Sequence, residues 1–212
     1  MMRIALLIAE FFSFVIYDVS SLFGSLWNLK TEKQSKKIPI VLLHGWFTRT
    51  LAYGLLKKRL ENLGYTVYMP DFGWHLGKVE QLEQYLAENK IKKFIFIGHS
   101  FGGLIGLYYY KRHPQQIKKF ITLGTPYYGT PFAYVCSFSG GGRQMWPHSA
   151  FLKKLHQSNV KGTYAILGRY DEFVPGQSAK LKGATHLSVR SGYTWLLFSH
   201  EAFQNIQRSL ED

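Results

Sequence analysis

A serine between two glycines, Gly98-His99-Ser100-Phe101-Gly102, closes the apolar run Phe94-Ile95-Phe96-Ile97, and an apolar helical pattern follows at once. A serine hydroxyl is a weak nucleophile until its surroundings activate it. A sharp turn from strand to helix does part of that work. It puts the hydroxyl at a helix N-terminus, where the amide of Phe101 can stabilise an oxyanion. Small neighbours are required, because side chains at 98 and 102 would collide with the turn and with the approaching helix. The turn is expected to lift the Ser100 hydroxyl clear of the surface. The chemistry this suggests is attack on a carbonyl carbon, and it calls for a base, for which the chain offers eight histidines.

The flanking chain supplies elements able to hold such a turn. Ile38 to Gly45 is an apolar run ending in glycine, as expected of a strand buried on both faces. A helix follows with Ala52, Leu56, Leu60 and Leu63 on one side, stopping at Gly64. Residues 65–71 (YTVYMPD) form the next strand, and Val79, Leu82 and Leu86 mark the next helix. Residues 93–98 lead into the serine turn and the helix after it. KKFITLG and TYAILG are two further strands and HLSVR a last one; Phe203, Ile206 and Leu210 line a closing helix capped by Ser199. Strands alternating with helices imply a mostly parallel sheet covered on both faces, a three-layer α/β domain.

With 212 residues, 46% hydrophobic and 18% charged, the chain is globular, with one domain large enough to bury a core. Its net charge of +13 predicts attraction to an anionic partner. No zinc pattern, aromatic RNA-binding stretch or single basic helix is present, so a phospholipid surface fits better than nucleic acid. Cys136 is the only cysteine, which rules out an intrachain disulfide.

Residues 1–37 read as a separate piece. Residues 4–29 are far more apolar than the rest, with Glu10, Ser13, Tyr17, Gly24 and Asn28 on one helical stripe. No small-x-small cleavage site follows, and Glu10 and Asp18 interrupt the apolar run. The pattern fits an interfacial or partly inserted helix with Trp27 at its boundary, or an extra helix packed on the main domain. Lys30, Lys33, Lys36 and Lys37 follow in a solvated linker, and would keep the domain at 38–212 on the cytoplasmic side if the helix spans.

From the serine turn outwards, residues 38–210 resemble the α/β-hydrolase superfamily, in particular its small bacterial lipases and esterases. VLLHGW (41–46) looks like the family's first-strand motif, which implies that Trp46 supplies a second oxyanion amide beside Phe101 and that His44 orients the loop. TLGTPYYGTPFA (122–133) resembles a lipase segment that usually has a histidine where this chain has Tyr127; His44, Tyr127 and Tyr193 are accordingly expected to line the substrate. Residues 142–155, after Gly140 and Gly141, look like the stretch before the lid-side helix. The resemblance assigns the triad acid to Asp171, just past the strand TYAILG, with Glu172 beside it as the fallback.

The base is where this chain departs from the family. The family order is serine, acid, histidine. Counting back from Leu196-Leu197-Phe198-Ser199 puts Tyr193 in the expected place, and a phenol, with an unperturbed pKa of roughly 10, is a poor base at neutral pH. His186 falls at the wrong end of the last strand. His113, His148 and His156 precede the acid, although His148 sits in the lid-like stretch. His200 would reach inward if residues 193–199 fold back, and is the expected base. The resemblance implies a hydrolase of carboxylic esters with acyl or lipid substrates, an acyl-Ser100 intermediate, and no metal or cofactor; the segment at 4–29 adds the expectation of membrane association. Thioester hydrolysis or acyl transfer would use the same nucleophile. Tyr193 favours a third reading, a degenerate hydrolase that binds lipid without turning it over.

Overall fold

The computed structural model describes residues 35–46, 48, 50–72, 79–135, 137–155, 160 and 162–212. The apolar segment 4–29, and with it the expected helix and membrane attachment, lies outside the described residues. Among the described residues no helix is long and apolar enough to cross a membrane. The linker expected over 30–37 is tied down at its end. The Ser35 amide donates to Thr66 Oγ1 and Lys37 Nζ donates to the Leu63 carbonyl.

Six strands, β1 (Ile40–Leu43), β2 (Val67–Tyr68), β3 (Phe94–His99), β4 (Ile117–Leu123), β5 (Thr163–Gly168) and β6 (Thr185–Val189), make one sheet in the order β2-β1-β3-β4-β5-β6. Every pairing is parallel. The apolar runs alternate between the two faces as the pleat requires. Val41, Leu43, Phe94 and Phe96 join one core cluster, while Ile40, Leu42, Ile95 and Ile97 join the other. The first face is covered by helices α2 (Val79–Glu88), α3 (Phe101–Arg112) and α5 (Ala150–Leu155), the second by α1 (Gly54–Asn62) and α6 (His200–Glu211). A short helix α4 (Gly140–Gln144), capped by Ser139, lies ahead of α5.

The strand expected over 65–71 keeps only two residues of pairing. It is an edge strand with β1 as its one neighbour, and Pro70 has no amide to extend the ladder. The parallel order puts the carboxyl ends of β1, β3, β4, β5 and β6 along one rim. Ligands bind at that rim in open α/β sheets.

Candidate active site

Ser100 is where β3 stops and α3 starts. It occupies the N-cap of α3 with φ 54° and ψ −125°, a conformation that costs a non-glycine residue about 1–3 kcal/mol. The glycines around it are required by contact. A Cβ on Gly102 would lie 2.3 Å from the His44 carbonyl oxygen, and one on Gly98 would lie 2.6 Å from the Phe96 ring and 2.8 Å from the Gly103 backbone. The Phe101 amide is the first of α3 and so has no carbonyl partner within the helix.

The loop after β1 meets this turn from the side. His44 is fully buried; its Nδ1 donates to the Gly45 carbonyl at 2.8 Å and its Nε2 accepts from the Phe72 amide at 3.1 Å, which fixes its tautomer. Both of its ring nitrogens are thus engaged by backbone groups. Trp46 follows, with its ring 6.1 Å from that of the exposed Phe138.

The structure does not bring His200 to Ser100. Residues Thr194–Leu197 form a 3₁₀ turn that buries Leu196 and Leu197 among the apolar residues facing α1 and α6. Ser199 then caps α6 by accepting from the Ala202 amide, which leaves His200 exposed on the first turn. Tyr193, two residues past Ser191 beyond the end of β6, takes the position instead. Its hydroxyl donates to Ser100 Oγ, the one hydrogen bond of that oxygen among the described residues. Under this contact Ser100 is only 3% exposed, so its hydroxyl does not stand clear of the surface as the turn alone predicts.

Asp171 is oriented by its own turn. Its Oδ1 accepts from the amides of Phe173 and Val174 at 3.0 and 2.7 Å. Its Oδ2 and the Tyr193 ring both border Gly124, each lying 3.4 Å from the point that a Cβ there would occupy. Serine, phenol and carboxylate thus come together from β3, β6 and β5. Tyr127 does not join them. It is fully buried with its hydroxyl 2.7 Å from Thr122 Oγ1, and burial pushes its phenol well above the ordinary range, so it is a core residue. His148 is exposed, His113 pairs with Glu83, His186 bonds the Leu181 carbonyl near the start of β6, and His156 lies outside the described residues.

A family profile described as the alpha/beta hydrolase fold matches residues 78–161. That segment holds the β3–serine–α3 turn. The chain has the α/β-hydrolase fold. Among solved structures, an alpha/beta hydrolase enzyme from the metagenome of sediments of the Mar Chica lagoon, Morocco, aligns with a TM-score of 0.65 at 18% identity, covering 86% of this chain and 97% of that one. Among curated proteins, a human serine hydrolase-like protein is 31% identical over 102 residues, 42% of this chain and 50% of its own length. A pimeloyl-[acyl-carrier protein] methyl ester esterase of Vibrio vulnificus is 28% identical over 104 residues, 46% of this chain and 41% of that protein. The chain thus aligns with half or less of the curated relatives it matches.

One residue of the serine motif to which its spacing assigns no role is His99. It is buried, its Nδ1 lies 2.9 Å from the Tyr53 hydroxyl, and its ring centroid is 4.9 Å from that of Tyr193. Burial lowers its pKa to about 4, against a weaker raising effect of the Tyr193 backbone and with a small lowering effect of His44. The imidazole is therefore neutral in the folded protein. Unfolded, it takes up a proton near pH ~6.5, so its contribution to stability is complete above that pH and is lost as pH falls from there to about 4. At about 1.4 kcal/mol per pH unit, the loss reaches about 3 kcal/mol. Urea unfolding at pH 7 and pH 4 should show this difference between the parent and His99→Gln; equal acid sensitivity would mean that His99 protonates in the fold.

Proposed function

We propose that this protein cleaves carboxylic esters through an acyl-Ser100 intermediate, slowly at neutral pH because a phenol occupies the place of the base. One observation carries the reading: the left-handed backbone of Ser100 at the junction of β3 and α3, which costs energy that a passive turn has no reason to spend. The esterase name of the Vibrio relative supports an acyl ester as substrate.

In the proposed reaction, Ser100 Oγ bonds to the carbonyl carbon and the carbonyl oxygen takes up the charge, facing the Phe101 and Trp46 amides. The bond to the leaving group then breaks, and the serine proton passes to solvent. In the second half water adds to the acyl carbon, the acyl–Oγ bond breaks, one proton of that water restores the Ser100 hydroxyl and the carboxylic acid departs. Tyr193 donates to Oγ, so it holds the hydroxyl in place but cannot accept its proton while it remains a phenol. Both halves lack general-base assistance. An ester with a good leaving group should still acylate, since its departure needs no proton.

The test is a burst experiment with p-nitrophenyl butyrate. A release of nitrophenol approaching one equivalent per chain, then a slow steady phase, is expected. Peptide mapping should find the butyryl group on the segment containing Ser100. An adduct on another residue would overturn the assignment. Saturable binding of the ester without release would favour the lipid-binding reading, for which the Tyr193–Ser100 bond is the supporting observation.

A further inference from the structure

We propose that the Tyr53 hydroxyl is a positioning group for the reaction at Ser100, holding the loop after β1 against the serine turn by bonding Gly45 on one side and His99 on the other. The inference rests on the reading of Ser100 as nucleophile and extends it to the alignment of the second oxyanion donor.

Tyr53 ends a short 3₁₀ turn, Thr50–Tyr53, ahead of α1, and its side chain is fully buried. Its hydroxyl oxygen accepts from the Gly45 amide at 2.8 Å and lies 2.9 Å from His99 Nδ1. Thr48 Oγ1 donates to the Gly45 carbonyl at 3.0 Å and lies 3.2 Å from the same hydroxyl. Both polar groups of Gly45 are thereby engaged, and its carbonyl also accepts from His44. The peptide that follows Gly45 carries the Trp46 amide, so fixing Gly45 fixes the plane of that donor. Gly45 is also in contact with the nucleophile: a Cβ there would lie 3.1 Å from Ser100 Cβ and 3.3 Å from His99 Nδ1. The phenol thus joins the residue before one oxyanion donor to the residue before the serine. Neutral His99 suits this, since its Nδ1 can accept the phenolic proton while the phenol accepts from Gly45.

Removing the hydroxyl leaves the buried Gly45 amide and His99 Nδ1 without this partner and frees the loop to shift. Small misplacements of an oxyanion donor cost rate without costing substrate affinity. The experiment compares the parent and Tyr53→Phe in two measurements, well below the melting temperature of each. One is the rate of Ser100 labelling by a fluorophosphonate, whose phosphoryl oxygen uses the same donors. The other is kcat and KM on p-nitrophenyl butyrate. The expected result is a fall of about tenfold to a hundredfold in labelling rate and kcat, with KM changed by less than about twofold. A purely structural role would lower the melting temperature and leave the labelling rate of the folded protein alone. If Tyr53→Phe does not fold, Thr48→Val replaces it, with a several-fold fall in the same two rates. Parent-like rates in whichever variant folds would overturn this inference alone. A parent that takes no label would overturn the reading of Ser100, and this inference with it.

Discussion

Replacing Tyr193 by histidine is expected to raise the steady-state rate of ester hydrolysis at neutral pH about a hundredfold. General-base catalysis by a placed imidazole is worth about 10²–10⁴, and everything else such a base uses is already assembled. The side chain at 193 reaches Ser100 Oγ. Asp171, held by the Phe173 and Val174 amides, has its second oxygen beside Gly124, which the side chain at 193 also borders. The lower end of the range is expected because an imidazole is shorter than a phenol, so the ring must lean in from its backbone. Gly192 gives that segment freedom to follow. Since both halves of the reaction gain, the burst seen with p-nitrophenyl butyrate should shrink as deacylation catches up with acylation. A variant that folds as the parent does but gains less than about threefold would show that residue 193 is not where a base acts. His200→Ala, by contrast, should leave the parent's rate unchanged, because His200 is exposed on the first turn of α6 and its side chain makes no hydrogen bond among the described residues.

The parts of this site that the sequence discloses are those that depend on neighbouring residues. Gly98 and Gly102 mark the turn because contacts within a few residues or with the adjoining loop exclude any side chain there, and the apolar runs at 40–43 and 94–97 mark strands because those two central strands are buried on both faces. Counting back from Leu196-Leu197-Phe198-Ser199 finds Tyr193 for the same reason: the 3₁₀ turn and the cap of α6 are local structures. What spacing cannot disclose is direction. Whether His200 points in or out is decided by Leu196 and Leu197 seeking the α1–α6 face, a tertiary preference. Tyr127, beside a motif that suggests a substrate contact, is drawn into the core by Thr122, and Tyr53 meets His99 from 46 positions away. Pairings of that kind have no sequence signature.

Ser100→Ala should abolish fluorophosphonate labelling and also show what an installed histidine acts on. In the parent, the serine works without a base, so its loss should cost comparatively little of a slow rate. In the Tyr193→His background the imidazole activates Ser100, and removing the hydroxyl should return the protein to the residual rate of Ser100→Ala alone. Groups that work as a unit are not additive. If the histidine is worth about a hundredfold, the fall on losing Ser100 must be about a hundredfold larger in that background, a coupling of about 2.7 kcal/mol. The four proteins of the cycle, assayed on one ester, measure this directly. Equal falls in the two backgrounds would mean that the histidine assists attack by water without passing through Ser100, and labelling that survives Ser100→Ala would remove this serine from the reaction altogether.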